Sequence, residues 1–169
     1  KGVVGLDPVT ISSRFLAFSR MAFRLWPDKP KMIRAALGRP HQFDSHRTAF
    51  EFYRTKRAFS DVADKELMDY VWAAHAPSDN GVDLRYSGAW EACVYRSPPN
   101  LWRCFDRIKK PIHILGGEHS YVIVPNVAER LKQLKNVQFN SIDAGHLMPM
   151  EKPQETAAFV RECISRYET

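Results

Sequence analysis

Hydrophobic and polar positions divide the last third of the chain into alternating strands and helices. Segment 136–142 alternates polar and apolar residues like a half-buried strand, and segment 111–117 is a short apolar run ending in two glycines. Segments 122–134 and 153–164 instead carry apolar residues at helical spacing. The order strand, helix, strand, helix predicts an α/β arrangement with a parallel sheet covered by helices.

The first part of the chain has one strand pattern followed by mostly helical patterns. Segment 2–6 is predicted to be a strand and segment 77–81 a turn. The pattern further predicts a short strand at 82–86 and helices at 10–26, 30–37, 45–59, 64–76, 89–96 and 100–108.

One histidine stands where chemistry is expected. His146 follows the predicted strand 136–142 in a loop led by Gly145, and a predicted helix comes next. A histidine with an unperturbed pKa of about 6.5 can take and return a proton at neutral pH, which suits a general base. The alternative is a loop histidine with a structural hydrogen bond. His113, mid-strand, and His119, beside a turn, lack these surroundings.

This strand, histidine loop and helix, together with the Gly-Gly-Glu-His-Ser run at 116–120 and the opening strand 2–6, resembles the α/β-hydrolase superfamily. The resemblance is closest to its capped branch of esterases, epoxide hydrolases and haloalkane dehalogenases. It implies the C-terminal part of an α/β-hydrolase parallel sheet with an inserted, mainly helical cap. Residues 1–8 would be a core strand, 9–99 the cap and its return, and 100–169 the C-terminal strands and helices of the core.

The resemblance also indicates an acid that would orient His146. Many family members place it after the penultimate strand, where this chain has Ser120, which carries no charge. Others place it at the end of the strand before the cap, where Asp7 stands. We therefore predict Asp7 as the orienting acid, with Glu118 as the second candidate. The alternative is that Asp7 only opens a turn before Pro8.

A nucleophile is not evident in the 169 residues. The G-x-S-x-G pattern of a nucleophile elbow does not occur in the sequence. Asp7 itself is a poor elbow residue because Val9, two positions later, would crowd the turn. In the family the elbow precedes the equivalent of Gly2, so we expect the nucleophile, most often serine, in an N-terminal half that is a separate chain or missing.

The resemblance implies a hydrolase that acts on a small apolar substrate, most simply a carboxylic ester. Family members that act on epoxides, halides or lactones share the same C-terminal strand, histidine loop and helix, so these substrates are open as well. Tyr121 and Leu147 are predicted to contact the substrate, with packing as the alternative role, and no metal or cofactor is expected. A second reading is a non-catalytic or incomplete hydrolase-like fragment that binds a ligand or partner, and a third is an unrelated basic binding module.

Net charge and cysteine content indicate the kind of partner and the cellular compartment to expect. The net charge is +6, but the basic residues are scattered and acids lie among them after Asp61, so we expect solvated helix faces rather than a nucleic-acid surface. Cys93, Cys104 and Cys163 lack metal-ligand spacing and are predicted to be buried thiols in a reducing, cytoplasmic setting. No apolar run approaches the roughly 18 residues that a membrane span needs.

Overall fold

The computed structural model describes residues 1–168 of the chain. They form two compact units: Lys1–Thr10 together with the residues from Asn100 onward, and Ile11–Pro99. The strands are, in chain order, β1 (Val3–Leu6), β2 (Gln42–Phe43), β3 (His75–Ser78), β4 (Gly81–Leu84), β5 (Ile112–Gly117) and β6 (Val137–Ile142). The α-helices are α1 (Ser13–Leu25), α2 (Lys31–Leu37), α3 (His46–Arg54), α4 (Asp64–Ala74), α5 (Gly88–Arg96), α6 (Leu101–Arg107), α7 (Pro125–Lys132), α8 (Met148–Glu151) and α9 (Pro153–Glu168), and Arg57–Phe59 forms a 3-10 helix.

The first unit is built on a parallel sheet in the order β1-β5-β6. Val3 pairs with Ile112 at one end of β1, and Gly117 pairs with Ile142 at the far end of β6. Every residue of the central strand β5 is buried, as expected for a parallel strand covered on both faces. Because the three strands run in the same direction, the loops that follow them meet at one edge of the sheet. The predicted alternation of strands and helices in the tail is confirmed.

The two faces of β5 pack against different clusters, because successive side chains in a strand point to opposite sides. Ile112 and Ile114 pack in a cluster with Trp102, Phe105 and Leu131, from α6 and α7. Leu115, on the other face, packs with Ala144 and Met148, and Phe159 of α9 borders that second cluster. Ala144 and Met148 lie on either side of His146 in the chain, so this second cluster anchors both ends of the loop that carries the histidine.

The second unit contains α1 to α5 and a small antiparallel sheet in the order β2-β4-β3, which sequence patterns largely missed. Segment 77–81 was predicted to be a turn, but Pro77 and Ser78 belong to β3. Proline lacks an N–H donor and is therefore tolerated on an edge strand such as β3. The predicted helix 64–76 ends at Ala74 because His75 and Ala76 already pair with β4. Gly81 has φ 128° and begins β4.

Three further expectations need correction. The predicted helix 45–59 ends at Arg54, and only Arg57–Phe59 continues as a 3-10 turn. The predicted helix 122–134 begins at Pro125, because proline fits the first turn of a helix but not its interior. Cys93 and Cys104 are exposed free thiols, so burial holds for Cys163 alone.

Within residues 1–168, no helix has the length and apolar character needed to span a membrane.

A buried histidine lies in an aromatic cluster of the second unit. The ring of His75 contacts those of Phe43 and Tyr53 at centroid distances of 5.5 and 5.7 Å, and its Nδ1–H donates to the carbonyl of Val71 at 2.9 Å. Burial lowers the pKa of His75 below its ordinary value, although the hydrogen bond to Val71 acts in the opposite direction. Burial also raises the pKa of Tyr53 to about 12.

We expect His75 to make the protein less stable in mild acid. The unfolded chain binds a proton on this residue near pH 6.5, while the folded protein resists it, so stability is full above that pH and falls as the pH decreases through the lower folded pKa. Urea unfolding between pH 7.5 and pH 5 should show a smaller loss of unfolding free energy in His75→Gln than in the wild type. The control is His119→Gln, at an exposed histidine; an equal loss in wild type and His75→Gln would contradict this expectation.

Candidate active site

The candidate site lies at the carboxyl edge of the parallel sheet, in the loops that follow β1, β5 and β6. Asp7 comes directly after β1 and has φ 43°, in the left-handed region that few residues other than glycine, asparagine and aspartate adopt. Its N–H donates to the carbonyl of Leu115 at 2.8 Å, which continues the pairing of β1 with β5 by one residue. Backbone of this kind concentrates at functional sites, where surrounding structure holds it in place.

The structure brings Asp7 and His146 together, although they are separated by 139 positions in the sequence. Oδ2 of Asp7 lies 2.6 Å from Nδ1 of His146. The same oxygen accepts a hydrogen bond from Oγ of Ser120 at 2.5 Å, and Oδ1 accepts from the N–H of Gly117 at 3.3 Å. Three donors thus surround one buried carboxylate.

This pairing determines which nitrogen of His146 is free for chemistry. An ionised carboxylate can only accept, so Nδ1 carries the proton and Nε2 carries the lone pair. The side chain of Asp7 is 0% exposed whereas that of His146 is 29% exposed, so the imidazole reaches the surface that the acid does not. None of the residues that the structure describes forms a hydrogen bond with Nε2 of His146. This arrangement can deliver a basic nitrogen to a group arriving at the sheet edge.

The hydrogen bond from Ser120 to Asp7 was not predicted from the sequence, where Ser120 was considered only because it stands in the place of a charged acid. Its hydroxyl donates to Asp7 and accepts from the N–H of Val122 at 3.0 Å, so both of its partners are fixed. Its position after β5, at the edge where Asp7 follows β1, was the signal that could have placed it beside the acid.

The contacts of Glu151 were also not predicted from the sequence. Its carboxylate accepts from the N–H of Gly145 at 2.5 Å and from the N–H of Leu147 at 3.1 Å, the residues on either side of His146. A carboxylate shortly after a glycine-led histidine loop was the available signal. Its reach back to both neighbours of the histidine could be seen only in three dimensions.

The remaining predicted site residues lie at different distances from the Asp7–His146 pair. The ring of Tyr121 is 5.5 Å from that of His146 and is 77% exposed. Leu147 follows His146 directly and is half-buried. Glu118 instead accepts a hydrogen bond from the hydroxyl of Ser141 at 3.0 Å and is exposed, so the structure brings Asp7 rather than Glu118 to the histidine.

A second histidine–carboxylate pair occurs nearby on the surface. Nε2 of His119 lies 2.8 Å from Oδ1 of Asp143, but the two side chains are 71% and 77% exposed. This pair matches the first in chemistry and differs in burial, which makes it a natural control. Across residues 1–168, no group of three or more potential metal ligands is found.

Many solved structures with similar folds are hydrolases, among them α/β-hydrolases and esterases. A peroxisomal α/β-hydrolase of Saccharomyces cerevisiae matches 97% of this chain with a TM-score of 0.69 at 15% identity, over 45% of its own length. An esterase of Mycobacterium tuberculosis matches 97% of the chain with a TM-score of 0.62 at 16% identity, over 54% of its length. An E-2-(acetamidomethylene)succinate hydrolase matches 97% with a TM-score of 0.63 at 17% identity, over 67% of its length.

These likenesses confirm the predicted fold: a parallel sheet with helices, matching part of the α/β-hydrolase fold. The chain spans between 45% and 67% of the length of these three structures. No protein-family model and no curated protein sequence matches the chain. At 15% to 17% identity, the structural likeness shows the fold alone.

Proposed function

We propose that Asp7 and His146 form the acid–base pair of a serine-type hydrolase that acts on a small apolar carboxylic ester. The observation that carries this proposal is the 2.6 Å contact between Oδ2 of the buried Asp7 and Nδ1 of the partly exposed His146. A fixed acid–histidine pair at the carboxyl edge of a parallel sheet is the arrangement that activates a hydroxyl nucleophile.

In the proposed reaction, Nε2 of His146 takes the proton of a serine hydroxyl as the oxygen attacks the ester carbonyl. Asp7 stabilises the imidazolium that forms and keeps the ring in the reactive tautomer. His146 then returns the proton to the leaving alcohol, which produces an acyl-enzyme. Water, deprotonated by the same nitrogen, attacks the acyl carbonyl, and the proton passes to the serine oxygen as the acid is released. The pair therefore acts once in each half-reaction.

We place the nucleophile in a segment outside residues 1–169, in the N-terminal half of the hydrolase fold. Two observations support this placement. The sequence has no G-x-S-x-G pattern, and among the described strands β1 pairs with β5 alone, which leaves its other edge open to a further parallel strand. Such a strand would end at the same sheet edge as Asp7 and bring its elbow toward His146.

Asp7 is better suited to orient a histidine than to attack a substrate. Its side chain is fully buried and both of its carboxylate oxygens accept hydrogen bonds. An attacking aspartate needs an oxygen free to meet the substrate. This arrangement supports the serine-type reaction over an aspartyl alkyl-enzyme.

The proposed preference for an apolar substrate rests on the side chains next to His146. Tyr121 presents an exposed aromatic ring beside the histidine, and Leu147 adds an aliphatic side chain next to it in the chain. We propose that both contact an apolar acyl or alcohol group, and that the unit Ile11–Pro99 acts as the cap. The esterases among the structural neighbours support ester cleavage.

Hydrolysis of p-nitrophenyl esters by the full-length protein tests this proposal. Turnover that releases one acid per alcohol, with higher kcat/KM for butyrate than for acetate, is the expected result. The alternative, a non-catalytic hydrolase-like fragment that binds a ligand or partner, is favoured by the missing elbow pattern. It predicts no turnover of any ester even when the N-terminal half is present.

Removing the hydroxyl of Ser120 should weaken catalysis without abolishing it. Ser120→Ala deprives Oδ2 of Asp7 of one of its two donors, so we expect kcat/KM to fall about tenfold, the size of one hydrogen bond to a charged group. Ser141→Ala is the matched control, because that hydroxyl donates to the exposed carboxylate of Glu118. Equal kcat/KM values for the two variants would show that Ser120 has no role.

A further inference from the structure

Glu151 holds the peptide units on both sides of His146 with a single carboxylate. Oε2 accepts from the N–H of Gly145 at 2.5 Å and Oε1 accepts from the N–H of Leu147 at 3.1 Å. Glu151 is half-buried at the end of α8, four residues after Leu147. A charged acceptor with two donors is stronger and more directional than a single neutral hydrogen bond.

This clamp acts on the part of the loop that sets where the imidazole lies. If the amide groups at 145 and 147 are both held, the backbone of His146 has little freedom to rotate. Nδ1 then stays within 2.6 Å of Asp7. Displacements of about 1 Å in catalytic groups reduce rates by up to about 100-fold, so a backbone clamp of this kind affects the rate directly.

Gly145 provides an independent way to disturb the same clamp. A Cβ atom at this position would lie 2.9 Å from Oε1 and 3.1 Å from Oε2 of Glu151. Gly145 does not have a positive φ; among the described glycines, Gly81 does. A methyl group at 145 therefore meets the end of a side chain rather than straining the backbone, and displaces the Glu151 carboxylate.

We infer that Glu151 is a positioning residue for His146, acting through the N–H groups of Gly145 and Leu147. The catalytic consequence rests on the proposed hydrolase function. The geometric consequence, a fixed contact between His146 and Asp7, does not.

A double-mutant cycle in the full-length protein tests the inference. Glu151→Ala and Gly145→Ala should each lower kcat by about 10- to 100-fold with KM within about twofold. Adding Gly145→Ala to Glu151→Ala should lower kcat no further, because the carboxylate that the methyl group meets is already gone. Glu155→Ala removes the same charge from an exposed position and should leave kcat unchanged.

Nuclear magnetic resonance gives a readout that does not depend on turnover. The Nδ1–H proton of His146 that is hydrogen-bonded to Asp7 should be visible in the wild type and in Glu155→Ala, and broadened or lost in Glu151→Ala and Gly145→Ala. If the wild type hydrolyses no ester but these spectra change as stated, the clamp stands and the proposed function fails. Unchanged spectra in both variants, or multiplicative losses in kcat, overturn the inference.

Discussion

Replacement of His146 by alanine is expected to lower kcat for ester hydrolysis by at least about 10⁴-fold in the full-length protein. The imidazole is the group that would move the proton in both half-reactions, and its Nε2 is the nitrogen left free by the contact between Nδ1 and Asp7. KM should change little, because the histidine acts on the reacting oxygen rather than on the rest of the substrate. Steady-state kinetics with an activated ester measures both constants.

His119→Ala is the matched control for this experiment. It removes an imidazole that also faces a carboxylate, Asp143 at 2.8 Å, but on the exposed surface. We expect wild-type kcat for this variant and unchanged thermal unfolding for both. A fall of less than tenfold in His146→Ala would contradict the assignment of the base.

Asp7→Asn is expected to lower kcat on the order of 10³- to 10⁴-fold while the fold is retained. Asparagine also tolerates φ near 43°, so the backbone after β1 is preserved. The charge that stabilises the imidazolium is lost, and an amide NH₂ facing Nδ1 favours the tautomer with the proton on Nε2. In that tautomer the lone pair lies on Nδ1, so Nε2 cannot accept the proton of a nucleophile.

Asp143→Asn provides the comparison for Asp7→Asn, since it makes the same chemical change in the exposed pair with His119. Its kcat should match the wild type. Circular dichroism and thermal unfolding should show both variants folded. Equal kcat values for Asp7→Asn and the wild type would remove Asp7 from the proposed mechanism.

The features that sequence patterns predicted well are those set by local spacing. Apolar residues in 111–117 and the alternation in 136–142 marked β5 and β6 because a strand exposes its faces with a period of two. Gly145 marked the loop before His146 because glycine commonly interrupts regular structure. Asp7 was predicted from the resemblance to a family, since no periodicity connects two residues 139 positions apart.

The features that were missed depend on contacts that sequence does not display. Ser120 meets Asp7 across 113 positions, and Glu151 folds back over a short helix to reach Gly145. Pro77 was interpreted as a turn residue. Its lack of an N–H donor is harmless at a sheet edge, but that edge position is known only once β3 is seen to pair with β4. Cys93 and Cys104 lie at exposed positions of α5 and α6, and the sequence pattern did not indicate which side of these two helices is buried.

The most direct test of the central claim is covalent labelling of the full-length protein with a fluorophosphonate, which reacts with activated serine residues. We predict one adduct by intact mass spectrometry, located by peptide mapping on a serine outside residues 1–169, and its loss in His146→Ala but not in His119→Ala. An absence of labelling in the wild type, or labelling that is equally strong in His146→Ala, would contradict the proposal that Asp7 and His146 activate a serine nucleophile.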